Sequence, residues 1–262
     1  MPNSSRVSFN LEKYSRQTQR GRQPFIPMKK PIKLLLSLTI VSSASATLVI
    51  TPISSVGPVL PYSAFASSTD LINAGQPTLS SATVSATFGS VFPGTGINDG
   101  NYTNTTTHNA FFRSGLDFPA TATYDLNVGV NTFGYDITSI NSFMGWQGAS
   151  SMAQGNQTYT IAYSVVGSAL YSALATVAYS PFTGNGSNYD SMVTVTDSGG
   201  VLASGVDSVR FTFADPGLGG GVSNPGTVVR EIDVVGVASV PEPSVVAFGL
   251  GGLLLLSRRR RL

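Results

Sequence analysis

Apolar and polar residues alternate in short runs throughout residues 70–239, and this pattern constrains the fold more than any other feature. Tyr159, Ile161, Tyr163 and Val165 lie on one side of such a run. Strict alternation predicts half-buried strands, and the spacing of three and four residues typical of an amphipathic helix is not sustained here. The predicted strands are Thr83–Phe88, Ala120–Leu126, Ile137–Met144, Thr158–Val166, Ala173–Ala178, Met192–Thr196, Ser208–Ala214 and Val228–Val237.

The apolar side of each strand must be buried, and a second sheet is the simplest partner for it. Gly, Asn, Asp and Ser bound the runs, and no helix-length segment separates them. The sequence therefore predicts an all-β fold, a jelly-roll β-sandwich spanning residues 70–239.

Charge is divided sharply between this body and the two ends of the chain. The body contains Arg113, Arg210 and Arg230 but no lysine, against ten aspartates and Glu231, which gives a net charge of −8. Such a body repels a polyanion, so no nucleic-acid partner is expected. The chain has no cysteine, which excludes disulfides, thiolate metal sites and a cysteine nucleophile.

The amino-terminal part of the chain has the composition of an export signal. A basic extension, residues 1–27, precedes Met28, which is itself a possible start alternative to Met1. Residues 28–66 are interpreted as a signal peptide and a Pro-rich linker, because a basic stretch, an apolar run and an Ala-x-Ala tripeptide follow in order. Cleavage after Ala46 and cleavage after Ala66 both fit, and the later site is preferred because Thr47–Tyr62 is Pro-rich and is predicted to hold no regular structure.

The carboxyl-terminal residues 240–262 contain three features in a fixed order. Pro241, Glu242 and Pro243 come first, the apolar run Ser244–Leu256 follows, and four arginines, Arg258, Arg259, Arg260 and Arg261, come last. A helix of these 13 apolar residues is about 20 Å long, shorter than the roughly 30 Å hydrocarbon core, so it predicts a marginal transmembrane anchor. The arginines are expected to stop transfer and to stay on the cytoplasmic side.

This ending resembles the PEP-CTERM sorting signal of Gram-negative bacteria. The resemblance implies that an exosortase recognises Pro241-Glu242-Pro243 and detaches a protein that is held in the membrane before processing. The protein would then reside on the cell surface or outside the cell. An ordinary carboxyl-terminal membrane anchor is the alternative.

The body also resembles discoidin-like, galactose-binding-type domains. The matching pieces are Asn98-Asp99-Gly100, Tyr124-Asp125-Leu126, Gly134 to Ile140, Met144-Gly145-Trp146, Gln157 to Ser164, Val209 to Phe213 and Arg230 to Gly236. The resemblance implies a jelly roll whose first and last strands lie close together. It does not fix a ligand, because one fold supports many functions.

Catalytic chemistry finds little support in the sequence. His108 is the single histidine, so a two-histidine metal site is impossible, and the residue is predicted to lie in a polar surface loop. Most aspartates sit beside Gly, Asn or Ser, where turn formation explains them. We therefore expect no enzyme and assign no catalytic residue.

One cofactor, a structural calcium ion, is suggested by clustered oxygen donors. Asn98 and Asp99 supply such donors close together, and hard cations prefer them. In the resembling domains a calcium ion often links such a loop to a carboxylate on the last strand, a place that Glu231 would take. A plain Asn-Asp-Gly turn, and a Glu231 paired with arginine, remain alternatives.

Candidate ligand contacts are aromatic residues in or near predicted connections, together with one cation. They are Tyr102, Phe111, Phe112, Arg113 and Trp146. Core packing is the alternative role for Trp146, because large rings dominate sandwich interiors. The resulting hypothesis is an exported, exosortase-sorted surface or matrix protein whose non-catalytic sandwich binds extracellular polysaccharide. A structural biofilm or coat component without a specific ligand is the first alternative, and a secreted hydrolase is the second.

Overall fold

The computed structural model describes residues 47–57, 60–85, 96–103, 108–146, 154–182, 189–217 and 226–240. All of them belong to one compact unit. The basic extension, the signal peptide as far as Ala46, the Pro241-Glu242-Pro243 motif and the cluster Arg258 to Arg261 lie outside the described residues. Among the residues described, no helix has the length and apolar character needed to cross a bilayer.

The described residues form ten strands and one short 3₁₀ helix at Tyr62–Phe65. The strands are β1 (Leu48–Val56), β2 (Leu79–Ser85), β3 (Ala110–Arg113), β4 (Ala120–Leu126), β5 (Tyr135–Trp146), β6 (Gln157–Val165), β7 (Ser172–Tyr179), β8 (Tyr189–Asp197), β9 (Ala203–Phe213) and β10 (Gly226–Ala238). The predicted all-β class is confirmed. Each of the eight predicted strands overlaps an observed strand, and β4 has the predicted bounds. Residues 86–88 of the predicted strand Thr83–Phe88 lie outside the described residues.

The strands form two antiparallel sheets that pack face to face. Sheet I has the order β2-β4-β9-β6-β7. Sheet II has the order β1-β8-β5-β10-β3. The sheets join at one corner, where Tyr135 of β5 pairs with Val206 of β9 and Ile137 pairs with Ala203.

The space between the sheets is filled by one large apolar core. Sheet I contributes its alternate residues, among them Tyr124, Tyr159, Phe211 and Phe213, and sheet II contributes Ile140, Val193, Val195, Ile232 and Val234. The rings of Phe112 and Phe213 lie 5.1 Å apart across the two sheets. The alternation read from the sequence is therefore the alternation between core and outer face.

Strand β1 corrects the expectation that Thr47–Tyr62 holds no structure. Every residue of β1 pairs with β8, from Leu48 opposite Asp197 to Val56 opposite Tyr189. Pro52 argues against a central strand but suits an edge strand, which needs a hydrogen-bond ladder on one side only. The sandwich therefore begins about twenty residues before the predicted boundary at residue 70.

Two further connections differ from their prediction. Phe111, Phe112 and Arg113 belong to β3, a short strand paired with the start of β10, and not to a loop. The resemblance implied that the first and last strands are close, but β8 and β5 separate β1 from β10. Besides its partners β5 and β3, β10 is bridged at Val235 by the segment around Asp70.

Candidate functional site

The outer face of sheet II is covered by two segments, residues 60–62 and 100–102. They form a second, smaller core in which Tyr62, Phe143 and Met192 are buried, with Leu60 and Tyr102 packed against them. Residues 69–72 and 97 lie along β10, and Leu71, Ile72 and Ile97 belong to the main core. The Tyr62 hydroxyl donates to the carbonyl oxygens of Met144 at 2.9 Å and Ser191 at 3.2 Å. These bonds fix the covering segment to β5 and β8.

A buried ion pair lies beside this smaller core. Arg230 Nη1 donates to Asp190 Oδ1 at 2.9 Å, and both side chains are almost completely buried. The Arg230 guanidinium also stacks over the Tyr62 ring, 5.0 Å from its centroid. Leu60 N donates to the second Asp190 oxygen at 3.1 Å, so the pair links the covering segment to both β8 and β10.

Three carboxylates meet under the same cover. Asp70, Glu231 and Asp233 are all buried, and one carboxylate oxygen from each lies within 4.8 Å of the others. Glu231 and Asp233 are two residues apart in β10 and therefore share a side of the strand. Asp70 reaches them because its segment runs beside β10.

Hydrogen bonds satisfy only part of this acidic cluster. Gly100 N donates to Glu231 Oε1 at 3.1 Å, and the Tyr102 hydroxyl donates to Asp233 at 3.2 Å. Ile72 N and Val234 N donate to Asp70 Oδ1 at 3.2 and 2.9 Å. The other oxygens of two groups, Asp70 Oδ2 and Glu231 Oε2, are buried and have no partner in the described residues.

Burial makes ionisation of the acidic cluster unfavourable. It raises the pKa of Glu231 to about 10, and the neighbouring carboxylates add to this shift. Burial likewise raises the pKa of Asp233 to about 7 and that of Asp70 to about 6. Buried carboxylates without a cationic partner either hold protons or bind a metal ion. Three convergent carboxylates with two unpartnered oxygens fit a hard divalent cation.

The predicted calcium ligands are only partly assembled around this cluster. Glu231 belongs to the cluster. The buried Asn98 lies two residues before Gly100, whose N–H binds Glu231, and Asn98 Nδ2 donates to Ile72 O at 2.6 Å. The Asp99 carboxylate instead binds His108 Nδ1 at 2.6 Å and Asn101 N at 2.9 Å. Gly100 has φ = 74°, the left-handed conformation expected of this turn. Asp70 and Asp233 were missed, although the Glu-x-Asp spacing in the last strand was a signal for one of them.

The predicted ligand-binding aromatics do not form one platform. The Phe112 ring belongs to the main core, and Tyr102 packs on Phe143 with ring centroids 4.8 Å apart. Arg113 is held by Asp117, with its Nε 2.9 Å from Oδ2. Phe111 and Trp146 are half-buried in strands β3 and β5. Strand alternation explains the burial of Phe112, since rings at alternate strand positions are directed into a core.

The outer face of sheet I is open and rich in hydroxyl groups. We call this surface the hydroxyl face, formed by Ser81, Thr83, Ser85, Thr121, Thr123, Thr160, Thr176 and Thr212, with Asp125 and Arg210 among them. Each of these residues is exposed or half-buried. The strand register places Ser85, Thr121, Thr212, Thr160 and Thr176 side by side in one row across five strands. At the ordinary strand spacing this row is about 19 Å long.

The geometry does not assemble a hydrolytic site in the described residues. The Asp70, Glu231 and Asp233 carboxylates lie close together, but Glu231 and Asp233 are at most 1% exposed, so a glycosidic bond cannot reach them. His108 pairs with Asp99 at the surface, as a loop histidine can. The predicted absence of catalysis stays a prediction.

Comparisons with known proteins find similarity in solved structures only. No protein-family model matches the chain, and no curated protein matches it. A structure of two CBM32 domains and the M60 catalytic domain of ZmpB from Clostridium perfringens is similar with a TM-score of 0.42 and 9% identity. The match covers 70% of this chain and 17% of that one.

Two single-domain structures are matched over most of their own length. An F5/8 type C domain from Bacteroides fragilis has a TM-score of 0.38 and 14% identity, over 61% of this chain and 94% of that one. Chitosan-binding module 1 of a chitosanase/glucanase from Paenibacillus has a TM-score of 0.34 and 19% identity, over 64% and 98%. Because all three TM-scores are below 0.5, the fold assigned above rests on the strands and their register.

Proposed function

We propose that this chain is an exported surface or matrix protein whose non-catalytic β-sandwich binds polysaccharide on the hydroxyl face. The observation that carries the proposal is the row of five Ser and Thr hydroxyls across sheet I. Each hydroxyl can donate one hydrogen bond and accept two, which matches the mixed donors and acceptors along a sugar chain. An extended row suits a chain ligand better than a small molecule, which needs a concave pocket.

Removal of hydroxyls without a change of shape tests this proposal. We expect the triple variant Thr121→Val, Thr160→Val and Thr212→Val to lose at least about tenfold in affinity, since each lost hydrogen bond contributes about 1 kcal/mol. The measurement is affinity electrophoresis in gels containing hydroxyethylcellulose, galactomannan or glucuronoxylan.

The matched control is Thr51→Val with Thr196→Val, which makes the same change on sheet II. This control should migrate like the parent protein in every gel. Equal retardation of both variants and the parent, or no retardation of the parent by any of the three polysaccharides, would contradict binding on the hydroxyl face.

Export and sorting form a separate part of the proposal. We propose that signal cleavage follows Ala46, because β1 starts at Leu48 and Tyr62 is buried, so cleavage after Ala66 would remove parts of the folded sandwich. An exosortase would then cut near Pro241-Glu242-Pro243 and release the chain from its membrane anchor. Intact-mass spectrometry of the secreted protein should give Thr47 as the first residue and a mass that lacks Arg258 to Arg261. An intact carboxyl terminus would support an ordinary anchor instead.

A calcium ion is proposed as a structural cofactor of the sandwich. Asp70, Glu231 and Asp233 would hold it, since their ionised forms lack a cation in the described residues, and oxygens near Asn98 and Asp99 could complete the shell. The ion would neutralise the buried carboxylates and fix the cover of sheet II to β10. Calcium at one hundred times its dissociation constant should then add about 2.7 kcal/mol to the free energy of unfolding.

The Glu231→Gln variant tests the calcium proposal because it should unfold at a higher temperature than the parent in chelator but should lose the stabilisation by calcium. The higher unfolding temperature in chelator is expected because the variant lacks one buried carboxylate. Asp197→Asn, at the end of β8 and outside the acidic cluster, is the control and should keep the calcium response. A parent protein whose unfolding temperature is the same in calcium and in chelator would contradict the proposal.

A purely structural role is the second candidate, and β1 is the observation in its favour. Leu48, Val49, Ile50 and Ile53 are each 38–41% exposed on this edge strand. Exposed apolar edge strands promote association between chains. Light scattering that shows concentration-dependent assembly, lost in Ile53→Lys, would support this role.

A further inference from the structure

The three arginines of the body differ in how their charge is balanced. Arg113 forms two bonds to Asp117, with Nε–Oδ2 at 2.9 Å and Nη2–Oδ1 at 3.3 Å. Arg230 is paired with Asp190 in the buried face of sheet II. For Arg210, the described part of the chain provides no carboxylate at ion-pair distance. One uncompensated guanidinium is therefore present in a body of net charge −8.

Arg210 lies in the middle of the hydroxyl face. The strand register places it between Thr123 of β4 and Ala162 of β6, and Ala162 is in turn opposite Ala173 of β7. The two alanines have no side-chain atoms beyond Cβ, so no long side chain projects from β6 or β7 in this row beside the guanidinium. A ligand that follows the hydroxyl row can therefore approach Arg210 from above.

Tyr171 holds the guanidinium in place. The Arg210 Cζ atom lies 4.0 Å from the centroid of the Tyr171 ring. The Tyr171 hydroxyl is hydrogen-bonded to Ser208 Oγ at 2.7 Å, and Ser208 donates to Asp125 Oδ1 at 2.8 Å. The hydroxyl end of the ring is thus fixed to β9. Stacking on an aromatic ring leaves the in-plane N–H donors of arginine available to a planar carboxylate.

We propose that Arg210 binds the carboxylate of a uronic acid residue carried by an otherwise neutral polysaccharide. This inference rests on the proposed function, because it names the sugar class that the hydroxyl face selects. A guanidinium and a carboxylate form a bidentate pair of charge-assisted hydrogen bonds, which fixes the register of the sugar chain on the face.

The negative charge of the protein also limits how close together the acidic sugars of the bound polysaccharide can lie. Asp125 lies on the same face, one row from Arg210 and held by Ser81 and Ser208 at 2.7 and 2.8 Å. A second carboxylate next to the bound one would face Asp125, and the whole body repels a polyanion. Isolated uronates on a neutral backbone satisfy both conditions, and a polyuronate does not.

The experiment compares three probes by calorimetry on the protein that starts at Thr47. The probes are glucuronoxylan oligosaccharides, the same oligosaccharides with carboxyl groups reduced to alcohols, and oligogalacturonate. We expect the parent to bind the first at least about tenfold more tightly than the other two. Arg210→Gln should lose this preference and bind the first two probes alike, while Arg210→Lys should recover only part of it, because lysine cannot form the bidentate pair.

A matched control separates local recognition from net charge. Val130→Glu makes the body more negative by one unit, as Arg210→Gln does, but lies in the exposed loop between β4 and β5. This variant should keep the preference for the acidic oligosaccharide. A κ-carrageenan oligosaccharide tests the related sulfate ester, and tighter binding of this probe than of glucuronoxylan would overturn the assignment to a carboxylate.

The two proposals fail in different ways. If the parent binds the native and the reduced oligosaccharides equally and Arg210→Gln changes neither, the uronate assignment is wrong while polysaccharide binding stands. If the parent binds none of these probes, the uronate assignment is wrong, and polysaccharide binding is wrong as well if none of the three polysaccharides retards the parent in the gels. If oligogalacturonate binds best, the spacing argument fails.

Discussion

The outer faces of the two sheets both carry polar groups, which are buried on sheet II and exposed or half-buried on sheet I. On sheet II, residues 60–62 and 100–102 cover the face, where Asp190, Arg230 and the acidic cluster are buried. On sheet I the hydroxyl face stays open, and its one arginine stacks on Tyr171. Strand alternation produces both faces, and the covering segments produce the difference.

The comparison separates stability from recognition. Buried charges must be neutralised, so the polar groups of sheet II are expected to control folding. Exposed hydroxyls are solvated in either state, so those of sheet I contribute little to stability and remain available to a ligand. Each experiment below alters one face and measures unfolding.

The largest effect is expected from removing part of the cover. A chain that starts at Ser67 lacks β1 and Tyr62, so Phe143 and Met192 lose their packing partner and β8 loses one hydrogen-bond ladder. We expect no cooperative unfolding transition by circular dichroism, whereas the chain that starts at Thr47 should unfold cooperatively. Cooperative unfolding of the shorter chain would show that the cover is dispensable and would favour signal cleavage after Ala66.

The next largest effect on the free energy of unfolding is expected when an arginine on each face is replaced, in separate variants, by methionine. Arg230→Met removes the cation that faces Asp190 and should lower the free energy of unfolding by about 3–5 kcal/mol. Arg210→Met on the open face should cost under about 1 kcal/mol, the usual contribution of an exposed cation–π contact. Urea unfolding measures both, and equal losses would refute the distinction between the faces.

The pH dependence of the metal-free protein is a smaller effect of defined sign. Burial raises the pKa of Asp70 to about 6, of Asp233 to about 7 and of Glu231 to about 10. The folded state then keeps protons that the unfolded chain releases, so this contribution is complete below about pH 4 and is lost as the pH rises through those three values. In chelator, the unfolding temperature should therefore fall from pH 5 to pH 8.

Calcium should remove or reverse that trend, because the bound ion favours the ionised carboxylates. Differential scanning calorimetry at the two pH values, with calcium and with chelator, measures the four unfolding temperatures. An unfolding temperature that rises with pH in chelator would mean that the carboxylates are solvated and the cover is open.

The smallest effect is expected on the hydroxyl face. The variants Thr121→Val and Thr212→Val should each change the free energy of unfolding by no more than about 0.5 kcal/mol, as is usual for surface positions. Tyr62→Phe, which removes one buried hydroxyl from the covered face, should cost about 1–3 kcal/mol because two carbonyl oxygens lose their donor. Urea unfolding ranks the three variants.

The sequence predicted the strands best where one face is buried and the other is exposed to solvent. β4 shows the clearest alternation and was predicted with its exact bounds, Ala120–Leu126. β1 was missed because Leu48, Val49 and Ile50 do not alternate with polar residues and Pro52 interrupts the run. β3 was missed because its four residues include two adjacent phenylalanines and so show no alternation of apolar and polar residues.

The sequence predicted one member of the acidic cluster and not its assembly. Glu231 was expected near the Asn98 turn, and Gly100 N does bind it. Asp70 could not be predicted, since its approach depends on the pairing of a short segment with β10 and not on any local pattern. Asp99 was assigned to the ion from its neighbours, but His108 is the partner that the tertiary structure brings to it.

The pairing of β1 with β8 also determines when this protein can finish folding. Leu48 finds its partner in Asp197, so the first strand waits unpaired until the chain has been synthesised past that residue. Contacts between such distant parts of a chain form slowly. A polypeptide that pairs its first strand this late would suit the export proposed above, because it would remain extended while it is translocated.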